Sequence, residues 1–234
     1  PTVEGLNITK IFRNATQYYA IFSDAQGNLL KNVSVRFNIN GVFYSRLTND
    51  YGVARLNINL NPGEYILTAE NPVTGELRSN LITVLPSIVE NHDLNMYYRN
   101  GSQFIVRLLG SDGNAVSGEE VTFNINGVFY TRVSDSEGYA RLNINLNPGN
   151  YIITAEHNGC RVSNNVLVKA ILFTNDLSIR YGSRASFDAT LVDGRGRLYH
   201  GQLVTFNING VFYERMTSDN GVASLNIRLQ AGKY

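Results

Sequence analysis

The stretch FNINGVFY at residues 37–44 occurs three times in this chain of 234 residues. It returns at residues 123–130 and again at residues 206–213, so the spacing is 86 and then 83 residues. A repeat of that length is too long for a solenoid unit and matches the size of a whole small β domain. The chain therefore reads as three copies of one domain.

Each copy has the pattern of short antiparallel strands. Val35, Phe37 and Ile39 alternate with polar residues, which is typical of a strand with one buried face. The dipeptide Asn-Gly that follows favours a tight type I′ hairpin, and its glycine is repeated as Gly41, Gly127 and Gly210. In the first copy we expect seven strands, near residues 6–11, 16–23, 33–40, 42–48, 53–60, 64–70 and 79–85. Seven short strands in about 85 residues predict an all-β sandwich.

The copies divide the chain into repeat 1 at residues 1–85, repeat 2 at residues 86–168 and repeat 3 at residues 169–234. The joins at residues 85–90 and 169–173 are short and apolar, and neither is a flexible Gly/Ser linker. We therefore expect three tandem sandwiches in an elongated rod. Repeat 3 is C-terminally truncated relative to the others, so either the array continues in a longer protein or a partner supplies the missing strands.

A tyrosine follows the turn into the sixth strand of every copy, as Tyr65, Tyr151 and Tyr234. It is either a tyrosine corner, whose phenol hydrogen-bonds to the backbone at the sandwich end, or a residue that simply packs there.

A Tyr-x-Arg motif also recurs on the strand after the hairpin. Its members are Tyr44 with Arg46, Tyr130 with Arg132, and Tyr213 with Arg215. This motif is either a repeated binding patch or a structural pair in which the guanidinium stacks on the ring.

The repeated run Val-x-Phe-x-Ile-Asn-Gly, the later Ala-x-Leu-x-Ile-x-Leu and the Pro-Gly-x-Tyr motif together resemble a known family. They are similar to the immunoglobulin-like repeats of the invasin/intimin type in prokaryotic surface adhesins, and look closest to tandem repeats of adhesin-like proteins from methanogenic archaea. The resemblance covers essentially the whole chain and implies three immunoglobulin-like domains. It brings no catalytic residues with it.

The resemblance implies an extracellular, cell-surface protein that acts as a stalk for attachment or spacing, with other cells, surface polymers or neighbouring copies as partners. One alternative is a subunit of a filament or sheath assembled by strand complementation. Another is a carbohydrate-binding array, which would use exposed aromatic side chains such as Tyr19, Tyr97, Tyr98 and Tyr199.

The composition excludes several classes of function. The net charge is only +1, which argues against a nucleic-acid partner. No apolar run approaches the ~20 residues that span a bilayer, so we expect no membrane contact within this segment. His92, His157 and His200 are unrepeated and have no metal-ligand spacing, so we expect no enzyme activity. Cys160 is a single cysteine and cannot form an internal disulfide.

We expect no cofactor, although calcium is left open by carboxylates in the loops. Asp24, Asp112 and Asp193 recur after the second strand, but each loop offers only one or two such groups. Asparagine and aspartate also favour turns for reasons of their own. N-glycosylation sequons occur at Asn7, Asn14, Asn32 and Asn100, a number that chance alone predicts in so asparagine-rich a chain.

Overall fold

The structure, a computed structural model, describes residues 1–234 and consists of β-strands and turns without a helix. Its strands fall into three groups that follow the three sequence repeats. Each group builds sheets from strands within the same repeat. The all-β class predicted from the repeats is thus confirmed.

Repeat 1 has eight strands in two sheets, of three and five strands. The smaller sheet has the order β1-β3-β6 and the larger the order β2-β8-β7-β4-β5. The bounds are β1 (Val3–Gly5), β2 (Ile8–Ile11), β3 (Gln17–Phe22), β4 (Ser34–Ile39), β5 (Val42–Leu47), β6 (Val53–Asn57), β7 (Gly63–Glu70) and β8 (Leu77–Leu85).

Repeat 2 has the same topology, with sheets β14-β11-β9 and β10-β16-β15-β12-β13. The bounds are β9 (Ile88–Val89), β10 (Leu94–Tyr97), β11 (Gln103–Leu108), β12 (Glu120–Ile125), β13 (Val128–Val133), β14 (Tyr139–Asn143), β15 (Gly149–His157) and β16 (Cys160–Lys169). Both repeats are immunoglobulin-like sandwiches of antiparallel strands closed by one parallel pair.

The alternating pattern places the core between the two sheets of each repeat. Phe37 on β4 is fully buried and meets Tyr18 on β3 edge to face, with ring centroids 5.7 Å apart. Repeat 2 repeats this contact between Phe104 and Phe123 at 6.0 Å. Such pairs stabilise a core beyond the area they bury, and here they link the two sheets.

The first strand is split, which the sequence pattern did not predict. Instead of one strand at residues 6–11, β1 pairs antiparallel with β3 and β2 pairs parallel with β8. The chain changes sheet at Leu6 and Asn7, where Asn7 Oδ1 accepts a hydrogen bond from the Leu81 amide at 2.9 Å. A switch of partner across the sandwich leaves no signature in local alternation, because both halves keep the same apolar period.

Repeat 3 has only five strands, in sheets β17-β18-β21 and β19-β20. The bounds are β17 (Leu172–Thr174), β18 (Ser186–Leu191), β19 (Leu203–Ile208), β20 (Val211–Met216) and β21 (Val222–Asn226). Residues 175–185, which correspond to β2 and β10, form no strand. In the other repeats those strands pair with β8 and β16, and repeat 3 has no counterpart of β8 or β16. Its core is smaller, yet Phe187 and Phe206 keep the edge-to-face contact at 6.1 Å.

The accessible surface shows how far the repeats are separated. A compact protein of 26.0 kDa would expose about 10,500 Å², whereas three separate domains of a third of that mass would expose about 14,000 Å². The chain exposes 14505 Å². The chain therefore exposes about as much surface as three separate domains would, and the small core of repeat 3 contributes to this value.

Candidate functional site: the interdomain joints

Each link between two repeats contains only one residue whose backbone is not hydrogen-bonded to the repeat before it or the repeat after it. In the first link, Phe12 N donates to Leu85 O at 2.8 Å within repeat 1, and Leu109 N donates to Ser87 O at 2.8 Å within repeat 2. Only Pro86 lies between these two anchored carbonyls. Because the proline ring also fixes φ, this link has little freedom to bend.

The second link is built in the same way. Tyr98 N donates to Lys169 O at 2.9 Å, and Val192 N donates to Ile171 O at 2.8 Å, which leaves Ala170 between them. The sequence predicted short, inflexible joins, and the structure supplies the hydrogen bonds that anchor them.

A side-chain hydrogen bond crosses each joint at equivalent positions. Asn14 Nδ2 of repeat 1 donates to Ser111 O of repeat 2 at 2.8 Å. Asn100 Nδ2 of repeat 2 donates to Gly194 O of repeat 3 at 3.1 Å. The two asparagines lie 86 residues apart. Their acceptors lie at equivalent positions in the loops that follow β11 in repeat 2 and β18 in repeat 3. The two joints thus share one design.

A glycine on the receiving loop lies against the preceding repeat at each joint. Gly113 faces Ile11, whose Cδ1 lies 3.4 Å from the place that a Cβ would take. At the second joint a Cβ on Gly196 would overlap the hydroxyl of Tyr97, and Gly196 also has a φ of +80°. The equivalent Gly27 in repeat 1 has open space around it. Gly27, Gly113 and Gly196 all have φ values of +80° to +86°, so the turn itself favours glycine at this position, and only at the second joint would a side chain also overlap the preceding repeat.

An aromatic residue fills the centre of the turn that docks. Phe12 is half-buried and packs against the hydrophobic cores of both repeat 1 and repeat 2. Its counterpart Tyr98 packs against the core of repeat 2 and lines a cleft of about 390 Å³ that is shared with repeat 3. Arg13 and Arg99 cover these rings, with the guanidinium carbon 5.5 and 5.2 Å from the centroid. Apolar packing thus accompanies the hydrogen bond at each joint.

The four predicted glycosylation sites fall in two different settings. Asn7 and Asn32 are exposed, and Asn7 uses its side-chain oxygen rather than its nitrogen to hold the sheet switch. Asn14 and Asn100 use the amide nitrogen across the joints. A glycan on either nitrogen would replace one of its two N–H groups and crowd the following repeat.

The repeated tyrosines make the backbone contact that a tyrosine corner requires. The phenol of Tyr65 donates to Asn61 O at 2.8 Å, and the phenol of Tyr151 donates to Asn147 O at 2.8 Å. Tyr234 Oη donates to Gln230 O at 3.0 Å. Each bond spans four residues, and in repeats 1 and 2 it closes the turn into β7 and β15.

The predicted hairpin turns have the backbone of a type I′ turn. Asn40 and Gly41 have φ values of +53° and +76°, and the other two copies differ from these by at most a few degrees. Gly127 and Gly210 occupy the same place, and the register pairs the residues on either side of each turn. Glycine suits the second position because a side chain at positive φ is strained.

In the first two repeats the Tyr-x-Arg motif places the guanidinium over the tyrosine ring, while Arg46 and Arg132 are exposed to solvent. A repeated binding patch at this motif stays a prediction. The guanidinium carbon of Arg46 lies 5.7 Å from the centroid of the Tyr44 ring, and that of Arg132 lies 6.0 Å from the Tyr130 ring. In repeat 3, Tyr213 is 36 % exposed, and Arg215 keeps a backbone hydrogen bond that all three arginines share.

The loop carboxylates organise their own turns. Asp24 Oδ1 accepts from the amides of Gln26 and Asn28 at 2.9 and 2.8 Å. The Asn28 side chain and these amides lower the pKa of Asp24, and hydrogen bonds from backbone amides likewise lower the pKa of Asp112 and Asp193. Nowhere in the chain do three or more His, Cys, Asp or Glu side chains gather in a metal-binding cluster.

Other chemical groups lie apart from one another. Cys160 is fully buried in the core of repeat 2, so its thiol cannot reach another chain in this fold. Of the aromatic residues considered for a saccharide surface, Tyr97 and Tyr98 belong to the second joint, while Tyr19 and Tyr199 are 52 % and 43 % exposed in different repeats. The chain has no helix long and apolar enough to cross a bilayer.

The joint residues were missed by sequence reasoning. Asn14 and Gly113 have their counterparts in Asn100 and Gly196 at the same spacing as the hairpin motif. This shared spacing could have indicated the joints. Asparagine and glycine are so common in turns, however, that the spacing alone did not predict a contact between repeats.

No protein-family model and no curated protein matches the sequence. Several solved structures are similar in fold at low identity. A tandem of titin domains I9–I11 is 16% identical over 97% of this chain and 89% of its own, with a TM-score of 0.37. An adhesin described as helping an Antarctic bacterium bind ice is 15% identical over 96% of this chain and 66% of its own, with a TM-score of 0.21.

Fibronectin(III)-like modules of Clostridium thermocellum CbhA are 14% identical over 72% of this chain and 94% of their own, with a TM-score of 0.26. All three TM-scores are below 0.5, so these similarities are too weak to assign a fold to this chain. At such identities and scores they indicate no ligand for this chain. The resemblance to archaeal repeats stays a prediction.

Proposed function

We propose that this chain is a non-enzymatic segment of an adhesin-like surface stalk that holds a binding element at a set distance from the cell. Its domains act in series as spacers, and its location is extracellular. The partners are other cells, surface polymers or neighbouring copies. Low charge and many neutral polar side chains support a role in contact with the surrounding medium.

The repeated joint is the observation that carries this proposal. A spacer needs a defined angle at every junction, because a chain of freely hinged domains has a much shorter mean reach than a straight one. Here both junctions have a one-residue link, a crossing asparagine hydrogen bond and a loop glycine that lies against the preceding repeat. The same contacts at both junctions support a fixed angle at each of them, as a spacer needs.

The stiffness is tested by single-molecule energy transfer between dyes on Asp50→Cys and Asp219→Cys, which lie in turns of repeats 1 and 3. Cys160 is buried and leaves the labelling specific. We expect one narrow population of low transfer. Phe12→Ala, Asn14→Ala, Tyr98→Ala and Asn100→Ala combined should add a broad population of higher transfer, because the joints then bend.

The matched control is Tyr181→Ala with Ser183→Ala, which changes the equivalent turn of repeat 3, where Tyr181 is 68 % exposed. These substitutions should leave the transfer distribution unchanged. A Gly-Ser insertion after Pro86 and after Ala170 defines the distribution of a hinged chain. An unmodified chain as broad as that variant would contradict the stalk proposal.

The surface location is tested on intact cells of the native source with an antibody raised against this chain. We expect labelling without permeabilisation and its loss after external protease treatment. Labelling that appears only after permeabilisation would contradict the extracellular location while leaving the stiffness result intact.

A further inference from the structure

In every repeat the sheet that contains the Asn-Gly hairpin ends in a strand that is unpaired on its outer side. These free edges are β5, β13 and β20, each of which has a hydrogen-bonded neighbour on one side only. On β5, Phe43 and Leu47 are 59 % and 67 % exposed. The other copies expose equivalent apolar residues, namely Phe129, Val133, Phe212 and Met216. An apolar edge with unpaired backbone groups is a template for pairing with another chain.

The register shows which backbone groups point away from the sheet. The two-residue turn makes Ile39 and Val42 a hydrogen-bonded pair, and in an antiparallel ladder such pairs alternate with outward-facing ones. Thr48 N still donates to Val33 O at 3.0 Å, so the even-numbered residues face β4 throughout. The outward groups therefore belong to residues 43, 45 and 47.

One of these outward carbonyls is already occupied. Arg46 Nη1 donates to Ser45 O at 2.7 Å, at the middle of the free edge. Arg132 donates to Thr131 O and Arg215 donates to Glu214 O at the same distance. The acceptor is a backbone atom, so the bond persists although its residue changes from serine to threonine to glutamate. Stacking on Tyr44 and Tyr130 holds the guanidinium across the edge.

The edge that this arginine covers is complementary to itself. Two antiparallel copies of β5 related by a two-fold axis at Ser45 would place Phe43 opposite Leu47 and Tyr44 opposite Arg46. This register would pair every outward backbone group of residues 43, 45 and 47. In β13 the axis falls at Thr131, with Phe129 opposite Val133. In β20, Glu214 would face itself, which is unfavourable for like charges.

We propose that Arg46, Arg132 and Arg215 keep the free edges from pairing with a second copy of this chain. To pair, a copy would have to displace the guanidinium from the carbonyl and bury its charge, which is costly without a partner. Tandem repeats raise the need for such a block, since several identical edges in one chain multiply weak pairing into avid association.

The test is sedimentation velocity of the full chain carrying Arg46→Ala, Arg132→Ala and Arg215→Ala. The unmodified chain should sediment as a monomer at all concentrations up to about 100 µM, a range in which weak interfaces of micromolar affinity become visible. The triple variant should form dimers and larger species as concentration rises. A folded triple variant that stays monomeric would overturn the proposal.

A matched control removes the same charge elsewhere. Arg78, Arg195 and Arg228 are exposed, and their guanidinium groups make no hydrogen bond or ion pair. Their combined change to alanine should leave the chain monomeric. Association of this control would mean that lost net charge, not the uncovered edge, drives self-association.

Two further variants locate the interface. Ser45→Glu with Thr131→Glu, added to the triple variant, gives β5 and β13 the like-charge contact of β20 and should restore the monomer. Changing the three arginines to methionine keeps an unbranched stem over the tyrosines and should associate as alanine does. Association that survives the two glutamates would place the interface elsewhere and overturn the edge assignment.

Discussion

At the scale of single residues, repeats 1 and 2 satisfy the same buried oxygen in different ways. In repeat 1 the Tyr18 hydroxyl donates to Asn80 Oδ1 at 2.7 Å. The phenol fits because Gly5 has no side chain, and a Cβ there would overlap the hydroxyl. Burial raises the pKa of Tyr18 to about 12, so the phenol remains a donor at any ordinary pH.

Repeat 2 exchanges both partners together. Phe104 replaces the tyrosine and Asn91 replaces the glycine, and Asn91 Nδ2 donates to Asn164 Oδ1 at 2.7 Å. The side chain that fills the space of the missing hydroxyl also takes over its hydrogen bond. Comparison of the repeats thus identifies a coupled pair of positions.

We predict that Tyr18→Phe lowers the free energy of unfolding of repeat 1 by about 1–3 kcal/mol, because Asn80 Oδ1 loses its only donor. Adding Gly5→Asn should recover part of this loss, whereas Gly5→Asn alone should destabilise through overlap. Hydrogen exchange of β3 and β6 amides in denaturant reports on repeat 1 separately. If Tyr18→Phe and Tyr18→Phe with Gly5→Asn were equally stable, the coupling of these two positions would be refuted.

A second residue-scale exchange involves a buried lysine. Lys10 is 6 % exposed, and its Nζ donates to Ile58 O at 2.7 Å and to Thr16 O at 3.3 Å. The same place in repeat 2 holds Met96, and there Ile144 N reaches the Ser102 carbonyl directly at 3.3 Å. Desolvation lowers the pKa of Lys10, so the folded state binds this proton less tightly than the unfolded chain does.

We predict that Lys10→Met stabilises repeat 1 by about 1–2 kcal/mol at pH 7, because a buried charge is replaced by the apolar residue of repeat 2. The unmodified repeat should gain stability as the pH rises through the lowered pKa towards 10.5, since the unfolded chain then holds more protons. The advantage of methionine should shrink over that interval. If the difference in stability between Lys10→Met and the unmodified chain did not change with pH, it would come from packing and not from the lysine charge.

At the scale of elements, the hairpins and the tyrosine-closed turns follow from local sequence. Asn-Gly selects the type I′ turn through its positive φ angles, and the two-residue loop then sets the register of the strands on either side. Nothing local could predict the split first strand, because β2 pairs with β8 some 74 residues away. Strand existence was predictable here, whereas strand partner was not.

We predict that Tyr65→Phe and Tyr151→Phe each cost about 1 kcal/mol of the stability of their own repeat, since each removes one hydrogen bond to a turn carbonyl. The two losses should be equal because the bond lengths are equal, and neither should affect the other repeat. Thermal unfolding of each single variant measures the loss of stability, and hydrogen exchange shows in which repeat the loss occurs. A negligible loss would leave these tyrosines as packing residues only.

At the scale of the whole molecule, small joints decide the arrangement of large domains. The chain exposes 14505 Å² of surface, about as much as three separate domains would. Orientation therefore depends on a few directional contacts rather than on broad apolar interfaces, which the crossing asparagines and one-residue links supply. This open arrangement leaves the edge strands β5, β13 and β20 exposed. Arg46, Arg132 and Arg215 cover a carbonyl at the equivalent position of each strand.

The number of repeats, the all-β class, the hairpin turns and the turn tyrosines could be predicted from the amino-acid sequence. These features depend on periodicity, on residues that tolerate positive φ, and on motifs that repeat within the chain. The bridges made by Asn14 and Asn100 and the contact of Arg46 with an edge carbonyl became visible only in the folded chain. The reason is physical: both contacts involve backbone carbonyls, which every residue carries, so the identity of the acceptor leaves no trace in the sequence.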